Sequence, residues 1–449
     1  MNKLWQKEWE MNEAVENFET QSDLLMDQKL IPYDVYGSVA QAKMLHKIGI
    51  ITLDELTKTL FVLVEIIELY SKGKFILEAS DEDMHTKIEN HLTQVLGDIG
   101  KKIHTGRSRN DQVLVAIRLY AKDMLLQIWQ AEAYLAKDFL TFARKYEFMP
   151  MPGYTHTQKA MPSSVGMWAG SFVESLIDDM NTLQASFKLN DKSPLGSAAG
   201  YGVPLPIDRQ YVADILGFEH VQINPLYCQN SRGKIEASVI ASLNLALMSI
   251  NKLATDVVFF TTSELDYFQV ADELCSGSSI MPQKRNIDIA ELLRSKTHGL
   301  VGNYVQMTGI ASNLISGYNR DLQDTKKVLI ESLETTLQTI NIADILITNI
   351  VPKEDNLIKA LTPEIFATHN ALTLVSDGSS FRDAYHKVSH NKEFQKPTDI
   401  VAELAKSTHL GGTGNLGLDE YDKELSSMQS RLNRKRKKYD AAISNLFIS

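Results

Sequence analysis

Cysteine is nearly absent from this sequence. Its 449 residues include only Cys228 and Cys275, which are too few for a disulfide framework and lack the paired spacing of a zinc or thioredoxin-like site. So little cysteine is typical of proteins that work in a reducing compartment. We therefore expect a cytoplasmic protein.

Long apolar runs are also missing. The longest uncharged stretch, 297–319, is interrupted by polar side chains and four glycines, so it lacks the ~20 predominantly apolar residues that a membrane span needs. Residues 1–10 place two tryptophans among charged residues and contain no apolar segment, which indicates that they are not a signal peptide. The sequence therefore predicts no membrane partner.

An excess of positive charge is absent too. The chain has 46 Lys and Arg residues against 56 Asp and Glu residues, a formal net charge of −10. Such an acidic protein has no general attraction for nucleic acids or anionic lipids. With 44% hydrophobic and 23% charged residues, the composition is that of a globular protein, and the length predicts two or three domains.

Several common motifs are absent or lack their structural context. Neither a P-loop nor a His-Glu-x-x-His motif occurs, and no metal site is predicted. Residues 412–417 match the spacing of a dinucleotide-binding turn, but the helical pattern before them, at 400–408, favours a surface turn. The basic run 434–438 lies on a predicted C-terminal helix, where a solvated helix face is a commoner explanation than a polyanion site.

Helical periodicity dominates the rest of the chain. Apolar residues recur every three or four positions over long windows, which is typical of long buried helices. These windows are 114–139, 167–189, 235–260 and 328–346. Strand signals are weak, and no hairpin is predicted. We expect an all-α fold with an N-terminal helical domain at 1–107, a central bundle of long helices at 108–361 and a C-terminal helical domain at 362–449.

A polar segment comes just before the first long helical window. Residues 104–112 read HTGRSRNDQ, with two arginines beside Ser108, Asn110 and Asp111. The N-terminus of a helix with guanidinium groups nearby is suited to bind a carboxylate. A plain capping turn explains the same residues, so both interpretations stay open.

Two further segments hold candidate proton-transfer groups. Residues 151–158 form a Pro-Gly turn that presents His156, a residue type that exchanges a proton near neutral pH. Residues 275–288 begin with small residues around Ser278, typical of a mobile loop, and continue with Lys284 and Asn286, which can hold an anion. Taken alone, each segment also fits a structural role, as an ordinary histidine or as a linker between helices.

Together these segments resemble a known superfamily. They occur as GRSRND at 106–111, MPGYTH at 151–156 and GSSIMPQKRN at 277–286, a combination that is similar to the fumarase/aspartase superfamily and its signature loop. The sequences of these motifs are most similar to those of the argininosuccinate lyase branch, because fumarases carry Gly where Gln283 stands. The resemblance implies an all-α, three-domain fumarase/aspartase-like fold around a long central helical bundle.

The resemblance covers nearly the whole chain, with a few departures. It extends over 34–38, 81–85, 194–197 and 411–413. The family's N-terminal Trp-Gly-Gly-Arg-Phe is absent, so the substrate contact near Ser22 and Asp23 stays unassigned. Ile287 stands where the family usually has proline, and the aspartate that commonly follows Arg232 is missing. None of these departures involves the implied proton-transfer groups.

The reaction implied by this resemblance is the elimination of fumarate from argininosuccinate, which breaks a carbon–nitrogen bond and gives arginine, as in arginine biosynthesis. Its difficult step is the removal of a weakly acidic proton next to a carboxylate, through an aci-carboxylate intermediate. By resemblance, His156 and Ser278 transfer the protons, with Ser278 as base and His156 as acid, or the reverse. Lys284 stabilises the developing charge, and Glu291 hydrogen-bonds the histidine.

The resemblance also implies a substrate-binding set. Its members are Ser108, Arg109, Asn110, Thr155, Asn286, Tyr318, Gln323 and Lys326. Among them, Tyr318, Gln323 and Lys326 hold the arginine-like portion, whereas Arg109 and Asn286 face the succinyl carboxylates. No metal ion or organic cofactor is implied. The expected partners are further copies of the chain, in a homotetramer whose active sites are shared between subunits.

Two rival functions stay open at this point. A sister lyase that acts on adenylosuccinate or fumarate shares the fold and the loop. It lacks the GRSRND motif and the sequence found here at 318–326. A non-catalytic relative with a structural use, as in lens crystallins, is the second rival. The presence of His156, Ser278, Lys284 and Glu291 argues against it.

Overall fold

The computed structural model of the chain describes residues 13–78, 81–391 and 394–448. Residues 1–10, for which no signal peptide is predicted, lie outside these ranges. The regular structure is almost entirely helical, so the predicted all-α class is confirmed. The helices are α1 Glu13–Lys47, α2 Leu53–Ser71, α3 Met84–Leu96, α4 Asp98–Lys102, α5 Arg109–Lys145, α6 Val165–Asn190, α7 Arg209–Ile215, α8 Pro225–Asn230, α9 Lys234–Phe260, α10 Asp288–Ile310, α11 Thr325–Thr348, α12 Glu354–Ala360, α13 Ala367–Ser376, α14 Phe381–Asn391, α15 Ile400–Leu404 and α16 Leu418–Leu446.

The strands are short and pair in twos. They are β1 Pro150–Thr155, β2 Gln158–Ser164, β3 Lys192–Ser193, β4 His220–Val221, β5 Phe268–Val270 and β6 Ile350–Pro352. β1 pairs with β2 and β5 with β6 in the antiparallel sense, whereas β3 and β4 are parallel. Each pair is a two-stranded sheet that joins or braces helices, and in the described part of the chain none of them gains a third strand.

Five long helices, α5, α6, α9, α10 and α11, pack against one another as a bundle. The four windows of helical periodicity lie within α5, α6, α9 and α11, so these predicted helices are confirmed. Their facing sides are fully buried, as at Leu125, Leu176, Leu243 and Leu333, and each such side chain contributes about 1.5–3 kcal/mol by leaving water. Within the described residues, α9 alone is long and apolar enough to cross a membrane, and more than half of its apolar window is buried in the bundle.

The start of α5 is fixed by its polar motif. Ser108 is the N-cap: its Oγ accepts a hydrogen bond from the Asn110 amide at 3.3 Å, and its own amide donates to Asp111 Oδ1 at 2.8 Å. Asp111 Oδ2 also accepts the amides of Gly196 and Ala198, at 3.0 and 2.9 Å. The motif therefore caps the helix, ties the 194–208 loop to it, and presents Arg109 and Asn110 in the first turn.

The bundle has two ends that lie far apart. Gly233, just before α9, packs against Thr325 at the start of α11, and we call this the proximal end. α10 runs antiparallel to α9, because Thr297 donates to the Leu247 carbonyl at 3.0 Å, whereas the earlier Arg294 carbonyl accepts from the later Asn251 side chain at 3.4 Å. The end of α9 and the start of α10 thus form the distal end. With 27 residues in α9 and ~1.5 Å per residue, the two ends are about 40 Å apart.

A β-hairpin follows α5 at the distal end. Its strands pair down to Thr155 and Gln158, and the two turn residues, His156 and Thr157, have φ angles of 53° and 59°. Positive φ at both positions is the geometry of a type I′ turn, which Asn-Gly sequences normally adopt. The sequence analysis did not predict this hairpin, because its strands contain prolines and its turn has no glycine.

The C-terminal region contributes to two apolar clusters, the main core and a small separate one. α16 packs along α5 and α6, and its Leu425, Met428 and Leu432 are buried in the main core. By contrast, Leu361 and Phe366 belong to a small separate apolar cluster. The domain boundaries near 107 and 361 stay a prediction.

Candidate active site

A polar cleft opens at the proximal end of the bundle. Its volume is about 520 Å³. It is lined by Glu19, Asp23, Asp27, Glu82, Asp83, His85, Arg109, Asn110, Val113, Arg232, Tyr318, Arg320, Gln323 and Lys326. These residues come from α1, the start of α3, the start of α5, the turn before α9 and the segment that leads into α11. The cleft exists because the starts of three long helices meet here.

Five residues of the predicted substrate-binding set line this cleft together. They are Arg109, Asn110, Tyr318, Gln323 and Lys326. More than 200 residues of sequence separate the first pair from the other three, and only the packing of α5 against α11 brings them together. Ser108, the N-cap beside them, is half-buried.

Lys326 is a deeply buried cation of the cleft. Only 3% of its surface is exposed, and its Nζ donates to Asp23 Oδ2 at 2.8 Å and to Asp27. Burial opposes the charged ammonium, but the two carboxylates outweigh it and raise the pKa of Lys326. Asp27 is itself 1% exposed. Lys326 is therefore a charged group, held by two acids at the wall of the cleft.

Two neighbours extend this wall towards the N-terminal helix. Gln323 Nε2 donates to the Glu19 carbonyl of α1 at 2.7 Å. Asp23, which the sequence left unassigned, lies on the cleft. Ser22 belongs to α1, and its side chain is outside the described part of the chain. Glu19 and Asp23 of α1 therefore contribute an acidic part of the cleft wall.

Arg109 faces acids from the turn before α3. Its Nη1 donates to Asp83 and lies 3.5 Å from Glu82 Oε2. Burial would raise the pKa of Asp83, yet the positive charges of His85 and Arg109 lower it overall. The Arg109 guanidinium is thus held in the cleft by a carboxylate that stays ionised.

Sequence reasoning gave no role to two cationic residues of the cleft. His85 is buried, and its Nδ1 lies 3.0 Å from Asp34 Oδ1. Burial opposes its protonation, but Asp34 and the nearby Asp83 raise the pKa of His85 to about 9. Arg232 is also buried and lies over the Tyr318 ring at 4.8 Å. Both residues lie in segments that resemble the family, at 81–85 and around Arg232. The resemblance assigned no chemical role to either residue.

The hairpin at the distal end carries Thr155 and His156. Both side chains are exposed, and among the described residues the imidazole of His156 has no hydrogen bond or ion pair. The strained turn that holds it is anchored by Tyr154, whose hydroxyl lies 2.7 Å from that of Tyr267. His156 is therefore an exposed side chain on an anchored turn, at the opposite end of the bundle from the cleft of its own chain.

The predicted catalytic loop also lies at the distal end. An antiparallel bridge between Ser276 and Asn286 closes it, and the Asn286 amide donates to the Ser276 carbonyl at 2.8 Å. Ser278 Oγ accepts the amides of Met281 and Ile280 at 3.1 and 3.4 Å. Two amide donors favour negative charge on this oxygen.

The charged residues of this region are open to solvent. Lys284 is exposed on the loop, and Glu291 is exposed on the first turns of α10. In the part of the chain described, neither side chain has an ion pair. Within the same ranges, no group of three or more His, Cys, Asp and Glu residues is arranged to hold a metal ion.

A single chain therefore separates the predicted site residues into two groups. Arg109, Asn110 and the 318–326 residues lie at the proximal end, whereas Thr155, His156 and the 278–291 residues lie at the distal end. The length of α9 keeps the groups about 40 Å apart. One chain alone does not bring both groups to one substrate.

The sequence of the chain is similar to those of known lyases. The sequence model of a family described as lyase matches residues 10–302. The chain is 42% identical over 387 residues to argininosuccinate lyase of Thermotoga neapolitana, which covers 86% of this chain and 97% of that protein. It is 40% identical over 423 residues to argininosuccinate lyase of Sorangium cellulosum, with 94% and 98% covered.

Solved structures with the same fold are more distant in sequence. A crystal structure of EDDS lyase in complex with formate has a TM-score of 0.83 at 20% identity and covers 98% of this chain and 95% of that chain. The class II fumarase from Schistosoma mansoni has a TM-score of 0.72 at 15% identity, with 96% of each chain covered. At these identities the likeness shows the fold alone, which is the predicted one.

Proposed function

The chain belongs to the argininosuccinate lyase family, and from this premise we propose that it cleaves argininosuccinate into arginine and fumarate. The observation that carries the proposal is the proximal cleft, which gathers Arg109, Asn110, Tyr318, Gln323 and Lys326. The cleft presents both carboxylates and cations. Argininosuccinate also carries both signs of charge, as carboxylates at one end and an amino acid with a guanidinium group at the other, so the two are complementary.

The arginine portion of the substrate is the part that we assign to the acidic wall. Lys326 and Gln323 bind it together with Tyr318, and Asn110 and Thr155 complete its surroundings. Arg109 and Asn286 take the succinyl carboxylates, because a planar guanidinium matches a carboxylate with two parallel hydrogen bonds. This arrangement fixes which carbon faces the base.

The chemical step that we propose is an elimination. A base removes the proton from the carbon next to a succinyl carboxylate, the electron pair moves into that carboxylate, and the resulting aci-carboxylate expels the guanidino nitrogen. An acid protonates this nitrogen as the carbon–nitrogen bond breaks, which leaves fumarate and arginine. Lys284 stabilises the dianionic intermediate, with Asn286 and Arg109, because charge develops there in the transition state.

Ser278 and His156 are the two proton-transfer groups of this proposal. A serine hydroxyl is too weak an acid to act as a base at neutral pH without help. The Met281 and Ile280 amides, which donate to Ser278 Oγ, supply part of that help, and Lys284 supplies a positive charge. We therefore assign Ser278 as base and His156 as acid. In the reverse assignment, Glu291 raises the basicity of His156, which then removes the proton.

Assembly of the site from several chains is part of the proposal. The separation of the two groups of residues, about 40 Å from the length of α9, supports a homotetramer in which one subunit supplies the proximal cleft and others supply the hairpin and the loop. Leu245, Met248, Leu292, Val301 and Val305 are exposed on the long helices α9 and α10. Large exposed apolar residues on core helices are typical of surfaces that another subunit covers.

The biological setting that we propose is the last step of arginine synthesis in the cytoplasm. The two cysteines are unpaired, which fits a reducing compartment. Acid–base groups and cationic donors suffice for the chemistry, so the proposal includes no cofactor. Nucleic acid and membrane surfaces have no part in it.

Purified protein mixed with argininosuccinate tests this proposal directly. Fumarate is followed by its ultraviolet absorbance, with Ser278→Ala as the matched inactive variant. We expect fumarate and arginine in equal amounts from the native protein and none from the variant. A preference for adenylosuccinate would favour the sister-lyase alternative, and a complete lack of turnover would favour a structural role.

A further inference from the structure

One buried cation of the active-site cleft lacks a partner. Arg232 lines the cleft and is 5% exposed, and among the described residues its guanidinium group has no ion pair and no hydrogen bond. Its Nη1 is fully buried without an acceptor, whereas Nε and Nη2 are not among the fully buried atoms and so reach the surface of the cleft. A buried charge without a partner is costly and uncommon in proteins. An arginine of this kind in a substrate cleft is suited to bind an anionic group.

The other cationic side chains that line this cleft are each paired with an acid. These pairs are Lys326 with Asp23 and Asp27, Arg109 with Asp83, Arg320 with Glu19, and His85 with Asp34. The acid nearest to Arg232 in the sequence is Glu236, and its Oε1 lies 3.8 Å from Nη1 of another arginine, Arg118. Within the described part of the chain, Arg232 is therefore the cation of the cleft whose charge is left for a ligand.

The backbone around Arg232 is held in place by its neighbours. The Arg232 amide donates to the Gln229 carbonyl at 3.0 Å. Gly233 has a φ of 75°, and a Cβ at this position would come within 2.5 Å of the Ala311 Cβ, so only glycine fits there. The guanidinium lies over the Tyr318 ring at 4.8 Å, which stabilises the cation but offers no carboxylate-like acceptor to its N–H groups. Arg232 is thus a preorganised donor beside Tyr318.

The surroundings of Arg232 leave its charge incompletely compensated. Burial lowers the pKa of Arg232, and the opposing effects of Tyr318, Glu236 and Asp23 only partly offset it. Asp23, which lines the same cleft, is therefore close enough to act on Arg232. The wall presents a cation and an acid near each other, and an α-amino acid group carries a carboxylate and an ammonium group on one carbon atom. The two arrangements are complementary in charge.

We propose that Arg232 binds the α-carboxylate of the arginine portion of argininosuccinate and makes the cleft selective for substrates that carry this group. This inference rests on the proposed function, in which Arg109 and Asn286 take the two succinyl carboxylates. The third carboxylate then reaches Arg232 beside Tyr318, and the adjacent ammonium group faces Asp23. Because these groups do not change in the reaction, their contacts are made equally in the ground state and the transition state and lower KM without raising kcat.

Cleavage of two substrates by the native protein and by Arg232→Gln tests this proposal. The substrates are argininosuccinate and its decarboxylated analogue, in which agmatine replaces arginine and only the α-carboxylate is missing. The native protein should have a KM at least about tenfold higher for the analogue. Arg232→Gln should raise KM for argininosuccinate at least about tenfold and leave KM for the analogue unchanged. Its melting temperature should not fall, because the substitution removes a buried charge that has no ion-pair partner.

Two further variants complete the experiment. Arg434→Gln makes the same change on an exposed residue of α16 outside the cleft and should leave both KM values unchanged. Arg232→Lys keeps the charge but loses the planar fork; it should raise KM for argininosuccinate alone, and it decides the question if Arg232→Gln does not fold. An equal rise in KM for both substrates, or no rise for either, would overturn the role of Arg232 while argininosuccinate cleavage stands. A native protein that does not cleave argininosuccinate would instead refute the proposed function, and this inference with it.

Discussion

Replacing Lys326 with methionine tests two roles of this residue, in binding the substrate and in stabilising the fold around the cleft. The change keeps most of the length of the side chain, which becomes one heavy atom shorter, and removes its charge. Because Lys326 is assigned to the arginine portion of the substrate, the variant loses one charge-assisted contact. Such a contact contributes about 1.5–3 kcal/mol, so KM for argininosuccinate should rise at least about tenfold. The value of kcat should change little, because the residue does not touch the reacting bond.

The same substitution should also destabilise the fold. Lys326 is 3% exposed and holds Asp27, which is 1% exposed. Without the ammonium, Asp27 is a buried carboxylate that has lost its ion-pair partner, and breaking a buried ion pair in this way typically costs about 3–5 kcal/mol. Urea denaturation of Lys326→Met measures this loss.

A matched control distinguishes the two effects. Lys326→Met/Asp27→Asn removes the uncompensated charge while the amide oxygen of Asn can still accept the Met84 amide, which donates to Asp27 at 3.1 Å. We expect the double variant to regain most of the lost stability but to keep the high KM. A KM that returns to the native value with the stability would show that Lys326 acts only as a structural group.

The pH dependence of the single variant has a defined sign. Burial raises the pKa of Asp27, and Lys326 opposes that rise, so the folded-state pKa of Asp27 increases further in Lys326→Met. A carboxyl group with a raised folded-state pKa loses stability as pH rises through that pKa, and its penalty disappears at low pH. The deficit of Lys326→Met should therefore shrink as pH falls through the raised folded-state pKa of Asp27. An unchanged KM together with a pH-independent deficit would refute the assignment.

Three further predictions follow from the same contacts. Ser278→Ala and His156→Asn should each lower kcat by several orders of magnitude at an unchanged melting temperature, because both side chains are exposed; near-native turnover in either would remove that residue from the mechanism. Because the pKa of His85 is raised to about 9 in the fold, its contribution to the free energy of unfolding should be present below about pH 6.5 and lost as pH rises through about 9. Urea denaturation of the native protein and of His85→Gln at both pH values measures this loss. Ser108→Ala should cost about 1 kcal/mol in the same assay through the lost cap of α5, and no loss would mean that the cap does not stabilise the helix.

The long helices were predictable from the sequence because their signal is local. Apolar spacing alone located α5, α6, α9 and α11, since a helix that is buried on several sides repeats that spacing over many turns. The β1–β2 hairpin was not predictable in this way. Its type I′ turn is formed by His156 and Thr157 without glycine, and the packing of Tyr154 against Tyr267 stabilises a conformation that the local sequence does not favour.

The candidate site was predictable only in part, because some of its contacts join segments that are far apart in sequence. The motif residues that carry chemistry by resemblance were named, and five of them line one cleft. The pairing of His85 with Asp34 and the position of Arg232 over Tyr318 depend on contacts between segments far apart in sequence. No periodicity or motif reports such contacts. The separation of Arg109 from Ser278 likewise depends on helix direction, which the sequence alone does not define.

The sharing of active sites between chains is the claim that most needs a direct measurement. Co-expression of an Arg109→Gln chain with a Ser278→Ala chain provides it, because these residues lie at opposite ends of one chain and each variant should be inactive alone. With random assembly of a homotetramer, a site receives each native residue with probability one half when the two come from different chains, so about a quarter of the native activity should return. The two chains carry different tags, and mass spectrometry verifies the mixed tetramers. If verified mixed tetramers cleave argininosuccinate no faster than either parent variant, the two residues do not form a shared site and the account is wrong.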